Sequence, residues 1–202
     1  MTARHDPTEA DAAAVVGPAA GVLVIGYGNP LRSDDGVGPA VAERLAADPR
    51  LRDAEIRAEH QLTPEVAIDA SRVALLVLVD ADDSVPAGEV VVRELGAAPS
   101  TSGALAPTGR DAQGGQPWTH FVDPSSLLAL AAELWGAVPR TVVVGIGPLS
   151  LGLGDELTPE VAAAVPRAVE AVVAAVEAVE AARTAEPAAT ARTGGPVARA
   201  EG

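Results

Sequence analysis

Cysteine is missing from all 202 residues, which removes disulfides, thiolate metal sites and cysteine nucleophiles from consideration. It leaves the redox compartment open. Lysine is missing too, so the 14 basic residues are all arginine. Aromatic residues make up 2% of the chain, and a core must therefore be assembled from Val, Leu, Ile and Ala. The longest apolar runs, 73–79 and 171–176, fall far short of the roughly 20 residues that span a bilayer. The N-terminus sets Asp6, Glu9 and Asp11 before a short apolar patch, without the basic-then-apolar order of a secretory signal. A cytoplasmic location is expected.

Acids are in large excess, and the formal net charge is −14. Such a chain is repelled by phosphate backbones and anionic lipid, so no nucleic-acid or membrane partner is expected. Hydrophobic residues at 48% and charged residues at 21% make a globular composition. The length suits one domain with a proper core, and a monomer is expected.

Three segments lack the pattern of a packed domain. Residues 1–20, rich in Ala and carboxylates, read as a disordered leader, and 183–202, with Pro187, Gly194, Gly195 and Pro196, as a disordered tail. Residues 96–117, within "GAAPSTSGALAPTGRDAQGGQP", read as a flexible loop of a length that is uncommon inside a compact domain. The domain itself is expected over 21–182. There, short apolar runs at 22–27, 54–59, 73–79, 89–95 and 141–146 predict strands. Val37, Ala40, Val41 and Leu45 have helical spacing over 36–47. Thr63, Asp123 and Thr158, each followed by proline, predict helix starts, the last helix running to about residue 182. Alternating strands and helices argue for an α/β three-layer αβα sandwich on a five-stranded, mostly parallel sheet. The strand at 89–95 follows its predecessor through too short a turn for a parallel crossover, so it is expected antiparallel and the sheet mixed.

In such folds ligands bind beyond the carboxyl ends of the strands. The segment "GYGNPLRSDDGVG", from Gly26 to Gly38, follows the first strand. A dinucleotide fingerprint would need a third glycine where Leu31 stands. The paired Asp34 and Asp35 would also repel phosphate, so nucleotide binding is disfavoured. Helix capping accounts for at least one acid of the pair. Asp80 closes a fully apolar strand, whereas Asp82 and Asp83 read as solvated. His120 sits between the Gly/Pro-rich loop and the cap Asp123; His60 falls near the end of a different strand. Each signal has an ordinary structural explanation. Together, two carboxylates and an imidazole from separate loops make an oxygen, oxygen, nitrogen set for a borderline cation such as nickel or zinc. No G-x-S-x-G elbow supports a serine nucleophile.

The ordered set "VLVIGYGNPLRSDDGVG", "HQLTPEVA", "LLVLVDAD", "PWTHFVDPSSLLAL" and "VVVGIGPLSLGLGDELTPEV" resembles the [NiFe]-hydrogenase maturation proteases over about 21–182. The resemblance implies a three-layer α/β fold with a twisted mixed sheet. It implies an aspartic-type endopeptidase that removes the C-terminal extension of a nickel-loaded large-subunit precursor. The metal contacts it carries over are Asp35, Asp80 and His120, with Asp34 as the capping or supporting acid. Nickel would arrive in the substrate rather than stay bound, and no catalytic residue is assigned. The metal would polarise the scissile carbonyl, activate a water, or only position the peptide. The alternative function is a non-catalytic nickel or precursor-binding checkpoint on the same fold. Gly147 departs from the family, many of whose members carry an acid or amide before the proline of this "GIGP" motif. The long loop and both terminal segments are further departures.

Overall fold

A computed structural model describes residues 21–96 and 122–185. The five strands are β1 (Val22–Tyr27), β2 (Glu55–Glu59), β3 (Leu75–Ala81), β4 (Val90–Leu95) and β5 (Arg140–Ile146). They form one sheet in the order β2-β1-β3-β5-β4. β1 pairs in parallel with β2 and β3, and β3 with β5, whereas β4 runs antiparallel to β5. This is the mixed, mostly parallel sheet expected. β1, β3 and β5 are near-continuous apolar runs because both faces of these inner strands are covered.

Side-chain alternation divides the core in two. Val24, Val77, Val79, Val142 and Val144 face one layer, formed by α1 (Val37–Ala46) and α4 (Pro159–Ala185). Leu23, Ile25, Leu76 and Leu78 face the other, formed by α2 (Val66–Ala70) and α3 (Pro124–Trp135). The sandwich therefore has three layers, with a core of branched aliphatics and alanine. Among the described residues no helix is long and apolar enough to cross a membrane.

Two glycines let α1 lie directly on the sheet. A Cβ on Gly26 would stand 2.0 Å from the Gly38 carbonyl oxygen, and one on Gly38 would stand 2.2 Å from that of Tyr27. Gly26 and Gly38 thus serve the close packing of helix on strand.

Several boundaries differ from the sequence reading. Residues Ser33–Gly36 form a 3₁₀ turn, and α1 begins only at Val37. α2 starts at Val66, because the Thr63 carbonyl accepts the Val66 amide in a tight turn first. α4 continues past 182 to Ala185, so the expected tail begins inside the helix. The expected leader 1–20, the expected loop from 97 onward and the expected tail beyond 185 lie outside the described residues.

Candidate active site

Asp35 and Asp80 come together where β1 and β3 end. Between them the chain turns at Gly28, with φ of +133°. A Cβ there would lie 1.9 Å from the Asp35 carbonyl oxygen and 3.7 Å from Oδ1 of Asp80. Only glycine permits this backbone to pass so closely between the two acids. The Asn29 amide donates to Oδ2 of Asp35 at 3.1 Å, which sets the direction of that carboxylate.

Asp80 is held from two sides. The Ala81 amide donates to its Oδ1 at 2.7 Å, and the Tyr27 hydroxyl donates to its carboxylate. Burial pushes its carboxyl up to about 7; the two hydrogen bonds work against that rise, while the charges of Asp35 and Asp82 add to it. Burial, and then the neighbouring Asp80 charge, push the Tyr27 phenol far above its ordinary value. Tyr27 is therefore a hydrogen-bond donor at any ordinary pH.

Both acids open on a cleft of about 540 Å³. Its walls are residues 27–29 at the end of β1, 60–62 after β2, and 122–124 at the start of α3. Asp123 caps α3 as its sequence suggests, accepting from the Ser125 amide at 2.9 Å and the Ser126 amide at 3.1 Å. The capped helix fixes the third wall.

Asp34 points the other way. Its buried carboxylate accepts the amides of Leu149 and Ser150, each at 2.9 Å, and of Thr158 at 2.7 Å. The Thr158 hydroxyl donates to it as well, at 3.0 Å. Burial alone would raise its carboxyl, but the Thr158, Ser150 and Leu149 bonds outweigh it and hold the group below the ordinary aspartate value. Asp34 is thus the supporting acid, but it does not cap the turn in which it sits. It ties that turn to the β5–α4 loop.

Of the three expected metal contacts, the structure brings Asp35 and Asp80 together, and His120 lies outside the described residues. Among the described residues no three His, Asp or Glu side chains are grouped to hold a metal ion. Three features escaped the sequence reading. His60, set aside as belonging to another strand, lines the same cleft. Tyr27 holds Asp80; its place one residue past Gly26, which pairs with Val79, was a usable signal once β1 and β3 are taken as neighbours. Asp82 is not simply solvated: it accepts from the Ser84 amide and hydroxyl and pairs with Arg93 on β4. At Gly147 a Cβ would stand 1.9 Å from the Pro86 carbonyl oxygen, so the close packing of the β3–β4 turn leaves no room for a side chain there.

No protein-family model matches the chain, and no curated protein matches it. Solved structures do. The hydrogenase maturating endopeptidase HybD from E. coli is 24% identical, with a TM-score of 0.58 over 79% of this chain and 93% of its own. A hydrogenase 2 maturation peptidase from a Thaumarchaeota archaeon is 25% identical, with a TM-score of 0.56 over 78% of this chain and 98% of its own. The [NiFe] hydrogenase maturation protease HycI from Thermococcus kodakarensis is 23% identical, with a TM-score of 0.53 over 78% and 93%. The chain has the fold of hydrogenase maturation endopeptidases across nearly the whole length of each.

Proposed function

We propose that the chain is a cytoplasmic endopeptidase that removes the C-terminal extension of a nickel-loaded [NiFe]-hydrogenase large-subunit precursor. The convergence of the Asp35 and Asp80 carboxylates on one open cleft carries the reading. The shared fold supports it. His120 would supply the third contact; it stands two residues before Val122, which lines the cleft.

The nickel belongs to the substrate. Two acids and an imidazole form an incomplete shell, so the free enzyme holds the metal weakly and the loaded precursor completes the set. The chemistry of the acids fits this part. Asp80 costs free energy as a buried anion beside Asp35, and a divalent cation relieves that repulsion. Cation and scissile segment would then enter the cleft together, making nickel insertion the condition for cleavage.

Gel mobility of the large subunit, with and without nickel, tests the reading. Wild-type enzyme should shorten the loaded precursor and leave the metal-free one intact, and His120→Ala should shorten neither. Equal cleavage of both forms by the wild type refutes metal licensing. Tight binding without shortening selects the checkpoint alternative.

A further inference from the structure

Four leucines that a monomer has no reason to expose stand beside the cleft. Leu153 is 95% exposed, Leu31 65%, Leu149 58% and Leu151 37%. Single exposed leucines are ordinary, but these sit on two loops fastened to each other. The Gly154 amide donates to the Leu31 carbonyl at 3.1 Å, and the Ser33 amide to the Gly154 carbonyl at 2.8 Å. Arg32 turns its guanidinium onto the Leu151 carbonyl at 3.2 Å, and the Ser33 hydroxyl donates to that of Glu156 at 3.0 Å. Asp34 holds the start and the end of the same stretch through Leu149, Ser150 and Thr158. Ser33 itself is forced to a φ of +49° to make this lattice. The leucines are thus carried on fixed backbone, and little further ordering is required when a partner covers them.

Two more observations bear on the partner. On the α1 side of the loop lies a groove of about 520 Å³, lined by apolar residues such as Pro39, Ile56 and Leu157 and by the charged Glu43, Arg57 and Asp155. The exposed acids Asp155 and Glu156 follow directly on the leucines, in a chain of net charge −14. A second copy of this chain would bring −14 against −14, and an anionic membrane is repelled likewise.

We propose that loop 149–153, with Leu31 and the adjoining groove, is the docking surface for the folded body of the precursor, through an apolar face of it bordered by basic side chains. This rests on the maturation reading and extends it from the cleft to the protein that carries the metal. The turn that bears Leu31 and is clamped by Asp34 also bears Asp35. A partner seated on the loop therefore has the cleft immediately beside it, and the contact area that selects the precursor is separate from the atoms that meet the metal.

The test is Leu151→Ser with Leu153→Ser, both at exposed positions where folding is not at stake, checked by an unchanged melting temperature. Affinity for the nickel-loaded precursor should fall about tenfold or more, with cleavage at saturating precursor unchanged. Unchanged affinity overturns the proposal. A wild-type dimer in sedimentation that the double variant dissociates overturns it as well, by making the second copy the occupant. The maturation reading is judged separately, by whether the wild type shortens the precursor at all. Binding without shortening, weakened by the serines, upholds the docking surface while the peptidase reading fails. A wild type that neither binds nor cuts the precursor overturns both.

Discussion

Thr158 gives both its backbone amide and its hydroxyl to the carboxylate of Asp34, across 124 residues of sequence. The bond set joins the entry of α4 to the turn that follows β1, and it excludes water from a fully buried anion. Asp34 thereby fixes the loop walls on one side while its neighbour Asp35 faces the cleft.

Asp34→Asn should cost about 3 kcal/mol in urea unfolding, because an amide nitrogen replaces an oxygen that accepted charge-assisted bonds. The pH dependence has a definite sign. A carboxyl held below 3.8 in the fold contributes stability above the unfolded value, and that contribution is lost as pH falls through the folded value. The gap between wild type and variant should therefore narrow as pH falls below about 4. A gap as wide at pH 2 as at pH 7 contradicts the assignment.

Asp80→Asn should lose processing by about 100-fold or more and yet gain stability. The carboxyl of metal-free Asp80 is raised from 3.8 to about 7. Its contribution is complete below the ordinary value and is lost as pH rises through about 7. Asparagine resembles the protonated form at every pH. With chelator present, the variant should be the more stable at pH 8, by up to about 4 kcal/mol, and equal near pH 3. Unfolding curves at the two pH values decide it; a variant less stable at pH 8 refutes the burial argument.

Gly38→Ala should destabilise the protein by about 3 kcal/mol or more, since its Cβ has backbone on every side. The Tyr27 and Val79 carbonyl oxygens lie 2.2 and 2.5 Å from that position, and neither strand can retreat. At Gly152 the nearest atom is the Ser150 hydroxyl oxygen at 3.5 Å, so Gly152→Ala is the control. Equal unfolding midpoints for the two variants would show that α1 does not need its close seat.

His60→Ala should raise KM for the precursor by several-fold with kcat and melting temperature unchanged, because the side chain is exposed and lines the cleft. Loss of kcat instead would make His60, and not His120, the imidazole that meets the metal.

The sheet was legible because its inner strands write their burial on both sides as unbroken aliphatic runs, and because the turn at 86–88 is too short for any crossover. The start of α3 was legible to the residue, from an Asp-Pro cap whose hydrogen bonds are local. What escaped had its cause far away in sequence. The partners of Asp34 lie 115 to 124 residues downstream, and nothing near Asp34 distinguishes a cap from a tether. Gly26, Gly38 and Gly147 look alike as letters, while their reason is a facing carbonyl on another element. His60 and Asp80 share a cleft only once β2, β1 and β3 stand in that order. Of the expected site, Asp80 needed only the end of an apolar strand to be placed, whereas the choice of Asp35 over Asp34 rests on the family resemblance and not on anything local to the pair.

The chain contains a single tyrosine, and that tyrosine is Tyr27, bonded to Asp80 inside the cleft. Fluorotyrosine incorporated during expression would give one fluorine resonance, and it would come from the site with no background from elsewhere. A cation that takes the Asp80 oxygens displaces or reorients the phenol bound to them, so the resonance moves as the cleft fills. The scarcity of aromatics that left the core to valine and leucine also gives the protein its own spectroscopic reporter of occupancy, readable in the wild-type sequence.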